Sequence, residues 1–499
     1  MGSEPPMRGL HAPPPAGRAP LSARTAALLL LAFGVVWLLA LASTAVTPPL
    51  DNVEQSIWLR SLQWGYYKHP PLPTWLAAAA SAIGGHGPLP LYLLGATCTL
   101  GSLLIFWQLL RECRGPQFAH VALLAALCVT FYNGRLYYFN HNVVMMLAIA
   151  AMVWACWRLS LRPRLATWAV LGLCAGLGML AKYQTAVAGV CVLLWWLQLR
   201  GWRHPVHRIG LWLGGAVAAL VFLPHALWLW QHDFAPLHYA QHSSLGVGLG
   251  PLARLKHTLL WLADWLFNRP VLAWLVLAAA WWGARPQPGD GAAPAAGPAV
   301  ARDESRRFLL LWGMAPALMM ALLGLALGTD LQLQWLTAFT LWTVAAVMVL
   351  LPARALTWRA RRAAAWAFAA LQLLLLAQLL LSSVYGPERW RSVHWRNFPS
   401  DRLAQGVAQP ARELLGGPID IISGPYTEAG ALALRMAEHP RVLIDGKLAI
   451  SPWISAEELR RARVISLFPA TEPPAGAYRA MPGWAWRPGG TDAKKTPPP

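Results

Sequence analysis

Apolar runs of about membrane-spanning length recur along this 499-residue chain. A helix needs about 20 mostly apolar residues to cross the hydrocarbon of a bilayer, and several runs reach or approach that length. Hydrophobic residues make up 57% of the chain and charged residues only 12%, which is outside the usual range of soluble domains. The pattern predicts an all-α polytopic membrane protein with about eleven transmembrane helices. The runs cover residues 25–46, 89–110, 118–132, 143–157, 167–181, 185–199, 209–230, 258–282, 308–327, 333–351 and 363–384.

Arginines are concentrated in every second one of the loops that join these runs. With the amino terminus in the cytoplasm, most of them fall on the inner side, as the positive-inside rule requires. The net charge of +20 is then explained by topology, and a nucleic-acid partner is not expected. We predict a multi-pass protein of the cell inner (cytoplasmic) membrane, with its carboxyl-terminal region outside. The inner loops hold Arg111, Arg114, Arg158, Arg162, Arg164, Arg200, Arg203, Arg208, Arg285, Arg302, Arg306, Arg307, Arg354, Arg359, Arg361 and Arg362.

Two changes of composition divide the chain. The Ala-, Gly- and Pro-rich stretch 283–301 predicts a flexible inner linker, and the apolar runs end near residue 385. Buried-strand patterns at 419–424 and 441–445 flank a helical pattern at 427–438, so a small extracytoplasmic α/β domain is predicted. The predicted parts are a disordered cytoplasmic arm 1–24, a transmembrane domain 25–384 with its first outer loop at 47–88, the α/β domain 385–485, and a disordered tail 486–499.

Charged and polar residues concentrate in the first outer loop. Asp51-Asn52-Val53-Glu54 is followed by Trp64-Gly65-Tyr66-Tyr67-Lys68-His69-Pro70-Pro71-Leu72. Carboxylates at a membrane surface are costly unless they are paired or used, and neighbouring cations suit a phosphate. This loop is therefore the predicted reaction centre, and its Pro-Pro step restricts the path of the chain beside His69.

These motifs resemble those of the polyprenyl-phosphate-sugar-dependent glycosyltransferases of the protein mannosyltransferase and aminoarabinose transferase type, glycosyltransferase family 39. Asp51 matches the first acid of the family, and residues 65–67 and 69–72 match its Gly-Tyr and Pro-Pro-Leu parts. Residues 176–183 and 224–234 resemble later family segments. The resemblance covers roughly the first half of the chain. It implies a GT-C fold and inverting transfer of a monosaccharide from a polyprenyl-phosphate donor to an envelope lipid such as lipopolysaccharide, another glycan or a protein.

This sequence departs from the family pattern at two places. Asn52 replaces the second acid of the first motif, and Asn140-His141-Asn142 stands where many members have Pro-Asp. Asp51 is therefore the main candidate for the general base that accepts the proton of the acceptor, with Glu54 as a nearby carboxylate. Lys68 and His69 are candidates to contact the donor phosphate. Further substrate contacts are predicted for Tyr66, Lys182, Tyr183, His141, Asn142 and His232.

Simpler interpretations exist for these residues. Asp51 is also suited to cap a helix that begins near Asn52, and Lys68 to anchor a helix end at the interface. His232 with Asp233 is also typical of a surface pair. No metal-ligand spacing is visible, so neither a metal nor another cofactor is expected. Two alternative functions are a polytopic transporter or lipid flippase, and a catalytically silent relative that binds polyprenyl phosphate.

Overall fold

The computed structural model describes residues 22–245, 248–284, 299–352 and 356–489. Helices form the first three quarters of the chain, and a small mixed domain follows. The helices before this domain are α1 (Ala23–Thr44), α2 (Leu50–Trp58), α3 (Leu72–Gly84), α4 (Leu89–Arg114), α5 (Pro116–Ala126), α6 (His141–Leu161), α7 (Leu165–Ala181), α8 (Thr185–Gln198), α9 (Pro205–Gln231), α10 (Ala235–Ala240), α11 (Pro251–Ala263), α12 (Val271–Gly283), α13 (Ala299–Leu327), α14 (Thr340–Met348) and α15 (Trp358–Leu381).

Six helices of the described chain are long and apolar enough to cross a membrane, namely α1, α4, α6, α9, α13 and α15. The segments Pro251–Asn268 and Val271–Gly283 add a seventh span if this pair, bent by 45°, is counted as one. Four shorter apolar helices, α3, α5, α7 and α8, accompany them. The structure thus confirms a helical membrane architecture, whereas the number of about eleven spans stays a prediction.

Three of the predicted apolar runs, 118–132, 258–282 and 333–351, are not single straight helices. The run 118–132 contains the end of α5 at Ala126, after which the chain forms turns up to Tyr137. The run 258–282 is broken before α12 at Pro270, which has no backbone N–H to continue the helix. Hydropathy indicates that these runs are buried, but it does not indicate where the backbone turns within them. The turns after α5 bring a second loop towards α2.

Small residues allow the membrane helices to pack closely. A Cβ atom at Gly172 of α7 would lie 2.3 Å from the backbone oxygen of Gly214 in α9. Glycine is therefore required at this crossing, as is common between helices in a bilayer. Further along, Trp37 of α1 donates a hydrogen bond of 3.0 Å to Gln372 of α15. The first and last long apolar helices are thus joined inside the protein.

The carboxyl-terminal domain is a five-stranded sheet with three helices. Its elements are α16 (Ser400–Leu415), β1 (Ile421–Gly424), α17 (Tyr426–Arg435), β2 (Arg441–Ile444), α18 (Ala456–Arg461), β3 (Val464–Pro469), β4 (Tyr478–Met481) and β5 (Trp484–Pro488). The strand order is β2-β1-β3-β5-β4. Strand β1 is parallel to both β2 and β3, while β5 is antiparallel to β3 and β4. The predicted α/β domain with its first two strands is confirmed.

The predicted boundaries of the terminal segments need two corrections. Strand β5 continues past residue 485, because Trp486 and Arg487 pair with Leu467 and Ser466 of β3. At the other end, Ser22 caps α1, which begins at Ala23, so the predicted arm extends two residues too far. The rest of that arm, the tail from 490 onward, and residues 285–298 of the predicted linker lie outside the described residues.

The carboxyl-terminal domain packs directly on the first outer loop. Val53, Ile57, Trp58 and Tyr66 belong to the same buried apolar cluster as the core of that domain. The segment between α1 and α2 is also held by it. The backbone N–H groups of Val46 and Thr47 donate to the carbonyl of Arg396 at 2.8 and 3.1 Å. The Thr47 hydroxyl donates to the carbonyl of Phe398 at 2.6 Å. We call residues 46–48 the clamped segment.

Candidate active site

Helix α2 carries both candidate acids towards a cavity. Asp51 and Glu54 are three residues apart, so they lie on one face of the helix, while Val53 and Ile57 point into the carboxyl-terminal domain. The N-cap position belongs to Pro49, which offers no side-chain bond. The Asp51 carboxylate does not cap the helix at that position and instead accepts a hydrogen bond from the Asn140 amide at 2.7 Å.

Asparagines of the two outer loops hold α2 in place. Asn140 caps α6 through its side-chain oxygen, which accepts from the backbone N–H groups of Asn142 and Val143 at 3.0 and 3.1 Å. Its amide nitrogen is thereby directed at Asp51. Asn52 donates to the carbonyl of Tyr137 at 3.0 Å and accepts from the N–H of Phe139 at 2.9 Å. The residue that replaces the second family acid thus serves to join α2 to the second loop.

Lys68 is paired with Glu54. Its ammonium lies 2.6 Å from Oε1 of Glu54, and the two side chains are only 12% and 8% exposed. Burial opposes the charge of Lys68, but Glu54 and neighbouring tyrosines more than compensate and raise its pKa. Lys68 is therefore charged at neutral pH. This enclosed position does not match an interfacial anchor that extends into water.

Two histidines lie beside this ion pair. The ring centroids of His69 and His141 are 3.9 Å apart, and Nε2 of His141 is buried without a hydrogen-bond partner among the described residues. Burial, with the positive charges of Lys182 and Lys68, holds the pKa of His69 well below its usual range. The His69 imidazole is therefore neutral. A neutral imidazole can donate or accept a hydrogen bond, as contact with a substrate requires.

A second lysine enters from the turn between α7 and α8. Lys182 donates to Oδ1 of Asn142 at 2.7 Å. Burial lowers the pKa of Lys182 to about 8, although Asp51 acts in the opposite direction. In the part of the chain that the structure describes, no carboxylate lies within 4.0 Å of its ammonium. Among the described residues, Lys182 is thus a partly buried cation without an ion-pair partner.

These side chains border a cavity of about 620 Å³. It combines two carboxylates with two lysines and an arginine, so it offers cations for an anion and a base beside them. The predicted residues at its wall are Asp51, Glu54, Lys68, His69, His141, Asn142, Lys182 and Tyr183. Asn140, Arg135, Tyr138 and Tyr239 also line it. Sequence reasoning missed these four, although the position of Asn140 directly before an apolar helix is a typical capping signal.

Two predicted contact residues lie elsewhere. Tyr66 is buried against Trp58, with ring centroids 4.9 Å apart, and donates to the carbonyl of Ser61. His232 stacks on Trp228 at 4.2 Å and bonds its carbonyl. Neither residue is among those that line the cavity, so both have packing contacts here and their predicted substrate contacts stay predictions. His232 forms no ion pair with Asp233.

No group of three or more His, Cys, Asp or Glu side chains within the described ranges is arranged to hold a metal ion. The nearest arrangement at the cavity is the pair of carboxylates with two histidines, but Glu54 is bound to Lys68 and Asp51 to Asn140.

Comparison with known proteins supports the resemblance predicted from the motifs. Residues 68–228 match the family described as Dolichyl-phosphate-mannose-protein mannosyltransferase. The chain is 27% identical to the lipopolysaccharide core galacturonosyltransferase RgtA of Rhizobium johnstonii over 42% of this chain and 43% of that protein. It is 26% identical to the lipid A galacturonosyltransferase RgtD of the same organism over 46% of this chain and 49% of that protein. The matches span less than half of these relatives.

The fold is shared over nearly the whole chain. The crystal structure of ArnT from Cupriavidus metallidurans bound to undecaprenyl phosphate superimposes with a TM-score of 0.59 and 12% identity. It covers 94% of this chain and 98% of that one. The chain therefore has the GT-C fold of this polytopic membrane protein. Its segment 68–228, which is similar to the protein mannosyltransferase family, contains Lys68, His141 and Lys182.

Proposed function

We propose that this protein transfers a monosaccharide from a polyprenyl-phosphate donor to an extracytoplasmic glycolipid acceptor. The observation that carries this proposal is the meeting of Asp51 with Lys68 and Lys182 in one cavity. A base and two cations are the groups that such a transfer needs. The polyprenyl carrier is supported by the ArnT structure, which holds undecaprenyl phosphate. The amino terminus then lies in the cytoplasm, and the cavity and carboxyl-terminal domain lie outside it.

The proposed reaction is a single displacement. The acceptor hydroxyl gives its proton to Asp51, and its oxygen forms a bond to the anomeric carbon of the sugar. The bond from that carbon to the phosphate oxygen breaks, and the electron pair leaves with polyprenyl phosphate. Lys68 and Lys182 stabilise the departing charge. Because one displacement occurs, the anomeric configuration is inverted. Asn140 keeps Asp51 in position, and neutral His69 is available to hydrogen-bond the sugar or phosphate.

The donor sugar is proposed to carry a carboxylate. Both relatives named above are galacturonosyltransferases, and their acceptors are lipopolysaccharide core and lipid A. The cavity of this chain also has a suitable residue in Arg135, which packs beside the rings of Phe131 and Tyr138. Within the described residues Arg135 has no carboxylate partner. A guanidinium presents paired donors that match a carboxylate.

The test is transfer by purified protein in lipid. Polyprenyl-phosphate galacturonate and the matched galactose compound serve as donors, and lipid A with core sugars serves as acceptor. Asp51→Asn should lower kcat by about 10²- to 10⁴-fold while donor binding is kept. The matched control is Asp401→Asn, because Asp401 is exposed on α16. Turnover of Asp51→Asn at the wild-type rate would reject Asp51 as the base.

The same experiment separates the alternative functions. A silent relative would bind the donor but transfer no sugar to any acceptor, whereas a flippase would move the donor across vesicles without breaking the glycosidic bond. The hydrogen bonds of Asn52 bear on the silent relative. The Asn52 side chain is hydrogen-bonded to the backbone of Tyr137 and Phe139. The change from the family acid to asparagine at this position therefore removes no unpaired group from the cavity.

A further inference from the structure

We propose that the carboxyl-terminal domain forms part of the active site, because its Tyr426 completes an aromatic cage that positions Lys68. The Lys68 ammonium lies 4.4 Å from the ring centroid of Tyr426, 5.3 Å from that of Tyr67 and 5.5 Å from that of Tyr239. These distances are within the range of cation–π attraction. The role assigned to the caged lysine rests on the proposed function, in which Lys68 contacts the donor phosphate.

The three rings come from three separate parts of the chain. Tyr67 precedes Lys68 in the first outer loop, Tyr239 belongs to α10, and Tyr426 is the first residue of α17. Lys68 and Tyr239 line the cavity, whereas Tyr67 and Tyr426 do not. Tyr426 therefore acts through Lys68 and is a positioning residue. Burial raises the pKa of Tyr426 to about 12; Glu54 and Asp51 also raise it, whereas Lys68 lowers it, which agrees with its place beside these charged groups.

Close packing fixes Tyr426 with respect to α2. Gly430, one turn further along α17, faces the opposite side of the helix that carries Asp51 and Glu54. A Cβ atom at Gly430 would lie 2.5 Å from Cγ1 of Val53 and 2.9 Å from Cδ1 of Ile57. Helices α17 and α2 are thus in direct contact at Gly430, and the side chains of Val53 and Ile57 are both buried. A shift of α17 would move the acids and the cage together.

An aromatic cage suits a lysine that must bind a ligand transiently. Glu54 occupies one donor of the ammonium at 2.6 Å, and an ammonium has three donors. A further carboxylate in place of a tyrosine would compete with phosphate for the remaining donors. Ring faces attract the cation more weakly and supply no anionic oxygen. The charge is thus held in place while hydrogen bonds stay available to the donor.

The test observes Lys68 itself as well as turnover. The chain has six lysines, Lys68, Lys182, Lys256, Lys447, Lys494 and Lys495, so the full-length protein labelled with ε-¹³C lysine gives a countable NMR spectrum in lipid nanodiscs. The Lys68 signal is identified by its loss in Lys68→Met. Ring currents should move its ε-protons upfield of those of exposed lysines. A wild-type Lys68 signal among the exposed ones would overturn the cage without any further variant.

Three variants then assign the effect to the Tyr426 ring. Tyr426→Leu should move the Lys68 signal downfield and raise the donor KM about tenfold, with a smaller change in kcat. Tyr426→Phe keeps the ring and should match the wild type in both respects. The control is Tyr478→Leu, which removes a ring stacked on Trp486 in the same domain at 4.8 Å and should leave Lys68 unchanged.

The outcomes separate the cage from the proposed function. A Tyr426→Leu protein with the wild-type Lys68 signal, or with a moved signal but the wild-type donor KM, would overturn the proposal. A wild-type protein that transfers sugar from no donor would defeat the proposed function instead. The NMR comparison of Tyr426→Leu with Tyr426→Phe would still decide whether the ring positions the lysine.

Discussion

The charge of Lys182 should control how donor binding depends on pH. Burial lowers the pKa of Lys182 from the usual 10.5 to about 8. Because this pKa is lowered, the ammonium predominates below about pH 8 and the neutral amine above it. If the ammonium contacts the phosphate, donor affinity is highest below pH 8.

The size of the effect follows from the contact that is lost. Above the pKa the charged fraction falls tenfold for each pH unit, so the donor KM should rise about 100-fold between pH 8 and pH 10 at most. A hydrogen bond to a charged group contributes about 1.5–3 kcal/mol, so its loss can raise the donor KM by at most about 10- to 150-fold. We therefore expect an increase of at least tenfold before the curve levels off.

The assay is the donor KM of the purified protein between pH 6.5 and 10. Lys182→Arg keeps its charge over this range, so its KM should stay flat. Lys182→Met should show a high KM at every pH, and Lys447→Met, at an exposed position of the carboxyl-terminal domain, should follow the wild type. The reasoning is refuted if the wild type and Lys182→Arg lose affinity together, because another group would then be titrating.

Variants at three more positions, Asn140, Gly430 and Arg135, test single contacts of the site. Asn140→Ala removes the hydrogen bond to Asp51 and the cap of α6, so kcat should fall about 10- to 100-fold and calorimetry should show a loss of about 1 kcal/mol. Asn140→Asp keeps the cap but sets two carboxylates together, so kcat should fall while the loss of stability is smaller than in Asn140→Ala. Gly430→Val should lower both Tm and kcat by displacing α2, whereas Gly189→Ala, whose Cβ meets nothing within 4 Å, should change neither. Arg135→Gln should lower kcat/KM for the galacturonate donor at least tenfold but not for galactose; equal losses with both donors would argue against carboxylate recognition.

Local signals predicted the parts of the site that lie within one segment. The acids at 51 and 54 share a face because they are three residues apart, and Lys68 and His69 lie in the same loop. Strands β1 and β2 were equally visible, because each is a short buried run beside turn residues. In all these cases, the residues that define the feature are close together in the sequence.

Contacts between distant segments could not be predicted in this way. Asn140 and Asp51 are 89 residues apart, and nothing in either segment indicates the other. Tyr426 approaches Lys68 only because β1 ends beside the first outer loop and α17 starts there. His232 is a further example, because nothing in its own segment indicates that its ring stacks on Trp228, a result of tertiary packing.

The clamped segment ties the start of α2 to a part of the chain that is synthesised much later. Thr47 and its partner Phe398 are 351 residues apart, and Pro48 accepts a hydrogen bond from the Trp395 indole at 2.8 Å. At about 5–20 residues per second, a ribosome needs about 20–70 s to cover that distance. During this interval the early helices can already be inserted, but the clamped segment that precedes Asp51 does not yet have its partners. The cavity is therefore completed only after α15 and the carboxyl-terminal domain have been synthesised, so an unfinished chain contains the side chains of the site without their arrangement.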